Sequence, residues 1–341
     1  MIISRPFPTR FAILPNAYYT YDQPSGDRKL TTRISAEYTL NNGLTVVAVN
    51  VGLLAFDFEK TNLGKFDLFD SDAPGVIPEV VTQSRDNMLE VQTRRLEQAV
   101  FVSACIFGKY AFSKNSSIKE PRYPGLDELF NWDRSSTTNE VEFFKSDEQR
   151  LRALLASAAP QGRSAWQNSI SSEQFREGVE LADRLMAANS ENRVADYTAL
   201  ITMTYQAVVL HSRQHAGASV ALSATIAEVL LEELLYSAGF VVGHPAKAGF
   251  AERSSDETIS KNKLKEMRAA DRIAHLEKYG VLDKYLTDRL NELRKARNEL
   301  MHRSQDARPH QSGNAITAVR DLLYLCTSEQ FELNAPWTYR T

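Results

Sequence analysis

The chain has 341 residues, 43% hydrophobic and 24% charged, with 40 basic residues against 43 acidic ones and a net charge of −3. That composition describes an ordinary globular protein long enough for two domains, and the near balance of charge excludes a global polycation built to coat nucleic acid. Two cysteines, Cys105 and Cys326, each inside an apolar helical pattern, speak against a disulfide framework and for a reducing, cytoplasmic compartment.

The opening "MIISRPFPTRFAIL" has no continuous apolar run and does not read as a signal peptide. Residues 10–60 read mainly as strands. "AYYTYD" is one, "RISAEYTL" alternates apolar and polar, and Asn42-Gly43 is a hairpin signal ahead of "LTVVAVNVGLLAFDF". "FDLFDSDAPG" is acidic, but a calcium loop begun at Asp70 would place Pro74 and Val81 at ligand positions, so it reads as an exposed turn. Residues 84–112 switch to a 3.6-residue period and predict one long helix with Ser84 as N-cap. Residues 113–146, rich in Ser, Asn, Pro and Gly, read as loop.

From about residue 147 onward the pattern is almost wholly helical. "SDEQRLRALLASAA" opens with a capping-box spacing, Ser146 to Gln149, and "SSEQFREGVELADRLMAAN" follows, capped by Ser171 or Ser172. Residues 194–239 give one very long helix or two consecutive ones, ending at Gly239. The most apolar stretch, 216–240, carries Glu228, Glu232 and Glu233, which marks a buried amphipathic helix and not a membrane span. A helix over 254–280 stops at Gly280, another runs from about 282 to 303, and "NAITAVRDLLYLCTSEQF" is the last. The fold class predicted is α+β. A mixed strand and helix domain (1–145) and connecting helices (146–194) precede an antiparallel helical bundle (195–341).

The stretch "LNELRKARNELMHRS" holds the residues with chemistry. Leu286, Leu290, Leu293, Leu300 and Met301 recur at helical spacing, and Arg297 falls on the same stripe. A permanent charge on a buried face is costly unless it is paired, and Glu228 or Glu232 could supply the pair within the bundle. Asn298 and His302 are four apart and share a helix face, with Arg294 one turn back. Arg297 and His302 are five apart, roughly 140° around an ideal helix, so they converge only if the helix distorts or a groove sees two of its sides. Histidine titrates near neutrality and the guanidinium fork suits phosphate.

"RNELMH" resembles the R-x(4–6)-H motif of the HEPN superfamily (higher eukaryotes and prokaryotes nucleotide-binding domain), including the polar residue straight after the arginine and the place on the penultimate helix of a bundle. "ALSATIAEVLLEELLYSAGF", with an acidic residue in an apolar stripe, is also similar to that family. The resemblance covers roughly residues 195–333. It implies a metal-independent endoribonuclease without cofactor, acting on RNA as a homodimer whose two motifs meet in one groove. Arg297 would be the phosphate-stabilising cation, His302 the general acid or base, and Asn298 the residue that orients the site. It further implies a toxin or abortive-infection effector of antiviral defence, with residues 1–145 sensing a trigger or binding a regulatory or antitoxin protein. A non-catalytic dimerisation or partner-docking module is the alternative. Some members paired with a nucleotidyltransferase antitoxin carry tyrosine two places after the histidine; here that residue is Ser304.

Spacing alone also picks out Arg268…His275 and Arg303…His310. Neither has an asparagine after the arginine, and the second runs through "SQDARPHQSG", which reads as loop. His211 and His215, four apart on a predicted helix, could place two ligands on one metal, but no third ligand is evident. The segment 261–308 holds 13 basic and 8 acidic residues, a local net of +5 that fits a polyanion partner or a solvated helix face equally well.

Overall fold

The protein is described by a computed structural model covering residues 4–6, 10–13, 33–49, 53–64, 67–69, 78–110, 124, 129–135, 138, 140–158, 172–189, 194–303 and 306–331. It is α+β, with small antiparallel sheets in its N-terminal part and a mostly helical C-terminal part. The chain divides into two compact units, residues 1–107 with 120–183, and residues 108–119 with 184–341.

In the first unit β1 (Ser4–Pro6) pairs with β6 (Asp67–Phe69). A six-stranded sheet has the order β3-β4-β5-β2-β7-β8, formed by Ile34–Thr39, Thr45–Val49, Leu54–Asp57, Arg10–Ile13, Phe130–Arg134 and Val141–Phe143. Every pairing is antiparallel. The hairpin expected at Asn42-Gly43 joins β3 to β4. Gly43 has φ +90°, and Asn42 Oδ1 accepts the Leu44 N–H at 3.0 Å to close the turn. The alternation of "RISAEYTL" is that of an edge strand with one face half buried. Ala12, Val47, Ala55, Phe130 and Trp132 form one apolar face, joined by Leu151 of α2 (Lys145–Ala158).

Several sequence expectations need correction here. Strands β7 and β8 lie where a loop was expected; at five and three residues they are too short to show a period. The strand reading of "LTVVAVNVGLLAFDF" holds, as the two strands β4 and β5 with Val49 N–H donating to Leu53 O at 2.9 Å between them. The long helix α1 runs Pro78–Tyr110, so Ser84 lies inside it and is not its N-cap. The predicted capping box of α2 is absent. Glu148 N–H donates to Phe144 O at 2.8 Å, which puts Ser146 within the first turn. "AYYTYD" and the loop from Asp70 lie outside the described residues. α3 (Ser172–Ala188) begins as expected.

The second unit is an up-down bundle. α4 (Tyr197–Ser212) and α5 (Ala216–Ser237) are two helices, broken at Gln214, whose φ of 65° no helix accommodates. Ser219 Oγ donates to Ala207 O at 2.9 Å and Ala195 N–H to Glu233 at 3.2 Å, so the two helices run antiparallel. The region expected as one helix over 254–280 is a 3-10 turn (Ser255–Glu257), α6 (Lys261–Glu266) and α7 (Ala269–Lys278). α8 is Lys284–Arg303, close to expectation. α9 is Pro309–Thr327, starting five residues earlier than predicted, with Pro309 in its first turn where a missing N–H costs nothing. α9 runs antiparallel to α4. His211 meets Ser312 at one end, and Tyr197 Oη donates to Cys326 O at 3.3 Å at the other. α5 is the central helix, packed against α4, α7, α8 and α9. No described helix is long and apolar enough to cross a membrane.

Candidate active site on α8

Asp283 starts α8 by accepting the Leu286 N–H at 2.7 Å. From there Leu286, Leu290, Leu293 and Ala296 are buried in turn. Leu300 extends this face half-buried. A Cβ on Gly217 at the start of α5 would lie 3.2 Å from its Cδ1, so the end of α8 closes on the beginning of α5. Met301, expected on the same stripe, is instead 62% exposed. It sits 100° round the helix from Leu300, and with a 3.6-residue period only one of the two can continue the row.

Arg297, one turn after Leu293, is half-buried. It lines a hollow of about 600 Å³ bounded by α5, the start of α7 and α8. Neither acid suggested as its partner within the bundle pairs with it. Glu232 is held by Arg272 at 3.0 Å, and Glu228 lines the same hollow but makes no ion pair within 4.0 Å among the described residues. Among the described residues the Arg297 guanidinium has neither an ion-pair nor a hydrogen-bond partner.

His302 is exposed on the last turn of α8 and lines a second, shallower hollow of about 740 Å³ with Glu299 and Lys295. Arg294 and Asn298 line both hollows. The helix continues unbroken through His302 to Arg303, so no distortion turns the imidazole toward Arg297. Within one chain Asn298 joins the two sides, while Arg297 and His302 look into different spaces.

The hollow at Arg297 also receives Arg268, Arg272 and Arg294, against the acids Glu228 and Asp271. Arg268 and Arg272 stand 29 and 25 positions before Arg297, a separation beyond any local pattern. Arg268 is conspicuous in the sequence only for its spacing to His275. That histidine is not its partner in chemistry: His275 packs edge-on to Phe240 at 4.6 Å between ring centres and lies 4.9 Å from Tyr279. Burial first, then the charges of Lys278 and Lys263, hold its pKa below the usual histidine value. His310 is exposed on the first turn of α9, and the side chain of Arg303 lies outside the description.

His211 and His215 do not share a helix face, because the break at Gln214 separates them. His211 is buried with Nδ1 at 2.5 Å from Ser312 Oγ, while His215 is exposed. Among the described residues no group of three metal-ligating side chains converges. Comparison with family models, curated proteins and solved structures finds no match to this chain.

Proposed function

We propose that the helical unit is a HEPN-type, metal-independent endoribonuclease domain that works as a homodimer. In this reading the ribose 2′-hydroxyl of RNA is the nucleophile. His302 takes its proton as general base, O2′ bonds to phosphorus, the bond from phosphorus to O5′ breaks, and a second imidazole protonates the leaving oxygen. Arg297 stabilises the extra negative charge on the phosphorane-like transition state, and Asn298 orients the strand between them. The products carry a 2′,3′-cyclic phosphate and a 5′-hydroxyl. A dimer brings a second motif, which answers the different outlooks of Arg297 and His302 within one chain.

The observation that carries the reading is Arg297 itself. It follows three buried leucines on one stripe, yet its charge is left without a described partner while Glu232 is given to Arg272. A structural arginine on such a stripe should be paired. By resemblance the biological setting is a cytoplasmic toxin or antiviral effector, with the N-terminal unit binding a trigger or a regulatory protein.

The test is cleavage of a mixed-sequence RNA by the full chain in EDTA, with end-group analysis. Wild type should give cyclic-phosphate ends. Arg297→Ala and His302→Ala should each lose at least about a hundredfold in rate while keeping the same mass in solution. The separation of the two side chains favours a second reading, a non-catalytic dimerisation or docking module. That reading prevails if Arg297→Ala disperses the assembly, His302→Ala changes nothing, and wild type cuts no RNA.

A further inference from the structure

We propose that Arg268 and Arg294 form, with Arg297, a phosphate subsite that seats one nucleotide of single-stranded RNA beside the linkage to be cut. The inference rests on the nuclease reading and adds two positioning residues to it.

The argument starts from charge. Arg268 lies just before α7, and Arg294 and Arg297 lie one turn apart on α8, so two separate segments aim cations at one hollow. None of the three guanidinium groups has a described partner. Arg272 differs: Glu232 holds it at 3.0 Å, and it reaches Glu228 O at 3.4 Å and Leu264 O at 3.5 Å. Its Nε is nevertheless buried without a hydrogen-bond partner among the described residues. The acids in the hollow do not cancel this. Two carboxylates, Glu228 and Asp271, face three arginines that have no described partner, which leaves an excess of positive charge, and Asp271 also accepts the backbone N–H of Arg268 at 3.2 Å. Like charges gathered this way repel, and a bound anion offsets the repulsion.

Shape supplies the rest. The hollow measures about 600 Å³, within the range of small-ligand clefts. Ala269 and Ala270, the first residues of α7, line it, and the first N–H groups of a helix have no acceptor inside the helix. Backbone donors therefore stand beside the arginines, as phosphate recognition favours. Part of the lining is apolar, supplied by Ala224, Ala227, Leu231 and Leu290. A base can lie there without its edges being read. A paired base inside a duplex cannot enter, so the site selects single strands with little sequence preference. Arg294 also lines the hollow of His302 and can follow the strand from one side of α8 to the other.

The experiment uses the full chain and a fluorescent, uncleavable 2′-O-methyl RNA octamer, with binding followed by anisotropy over a salt series. Arg268→Ala and Arg294→Ala should each weaken binding about five- to tenfold and flatten the log K against log salt slope by about 0.7. Lys265→Ala removes the same charge from an exposed position on α6 outside the hollow and should change affinity less than about twofold. On cleavable RNA the two arginine variants should raise KM and leave kcat, and Arg268→Lys should recover part of the loss. Thermal unfolding confirms that each variant folds. The subsite is overturned if both arginine variants bind like Lys265→Ala, or if a blunt duplex binds as tightly as the single strand. If wild type cuts no RNA but the arginine variants still lose binding, the nuclease reading falls and the subsite stands.

Discussion

The Glu233 carboxylate on α5 stands 3.1 Å from the Lys247 ammonium and is itself fully buried. It also accepts the N–H groups of Val194 and Ala195 at 2.9 and 3.2 Å and the Ser237 hydroxyl at 3.1 Å. One side chain therefore ties the entry to α4 and the segment after α5 to the central helix. Burial pushes its pKa up, but the hydrogen bonds from Val194, Lys247 and Ala195 and the Lys247 charge outweigh that and hold it below the usual carboxylate value. A depressed carboxylate contributes stability that is full above its unfolded pKa and is lost as pH falls through the native value. Glu233→Gln should cost about 3 kcal/mol at pH 7, and the cost should shrink below about pH 4.5, the ordinary value for this group. Urea unfolding of both proteins between pH 3 and 7 measures it; a cost independent of pH overturns the assignment.

His211 gives a second, separate pH window. Its Nδ1 lies 2.5 Å from Ser312 Oγ, and the Ser312 hydroxyl donates to Pro309 O at 2.9 Å, so the neutral imidazole donates Nδ1–H to the serine. Burial holds its pKa below the ordinary 6.5. Below pH 6.5 the unfolded chain takes up a proton that the folded chain resists, so stability falls as pH drops from 6.5 toward the native value. Wild type should lose stability between pH 7.5 and 5.5, and His211→Gln should lose less over the same interval. Parallel unfolding curves at the two pH values decide this, and equal slopes count against it.

What the sequence made legible follows from how far each feature reaches. The stripe Leu286, Leu290, Leu293 is local, periodic and buried as expected. Choosing Leu300 over Met301 needs the neighbouring start of α5, which no window on α8 contains. The apolar stretch carrying Glu228, Glu232 and Glu233 was plainly helical. Which acid goes inside depends on Lys247 and on the Val194 and Ala195 N–H groups; Glu233 is buried and Glu228 is exposed. Strand β7 carries Phe130 and Trp132 into the sheet core from five residues set in a polar segment. The candidate site was half legible. Arg297, Asn298 and His302 share one helix, but Arg268 reaches the hollow through tertiary folding alone.

Close helix packing in the first unit gives a stability test. A Cβ on Gly178 of α3 would fall 2.4 Å from the Ile106 Cα of α1, a contact with backbone that no side-chain rotation relieves. Alanine gains about 1 kcal/mol over glycine inside a helix. Overpacking against backbone costs about 1–3 kcal/mol, so the clash outweighs the propensity. Gly178→Ala should lower the melting temperature, and Ile106→Ala should not restore it, because the obstructing atom is main chain. A stabilised Gly178→Ala variant would show that α1 and α3 can separate at no cost.

Glu228 lines the hollow with Asp271 opposite Arg268, Arg294 and Arg297, and it is exposed on α5 with no ion pair among the described residues. An incoming phosphate meets its charge as well as theirs. Glu228→Gln keeps the size and removes that opposition, so binding of the uncleavable octamer should tighten about threefold at low salt, an interaction of less than 1 kcal/mol that solvent screens. The gain should fade as ionic strength rises and the screening length drops below the width of the hollow. An acid that instead served to hold Arg297 in place would give the opposite sign: the variant would bind more weakly. The sign of this one change therefore separates a carboxylate that merely borders the anion site from one that organises it.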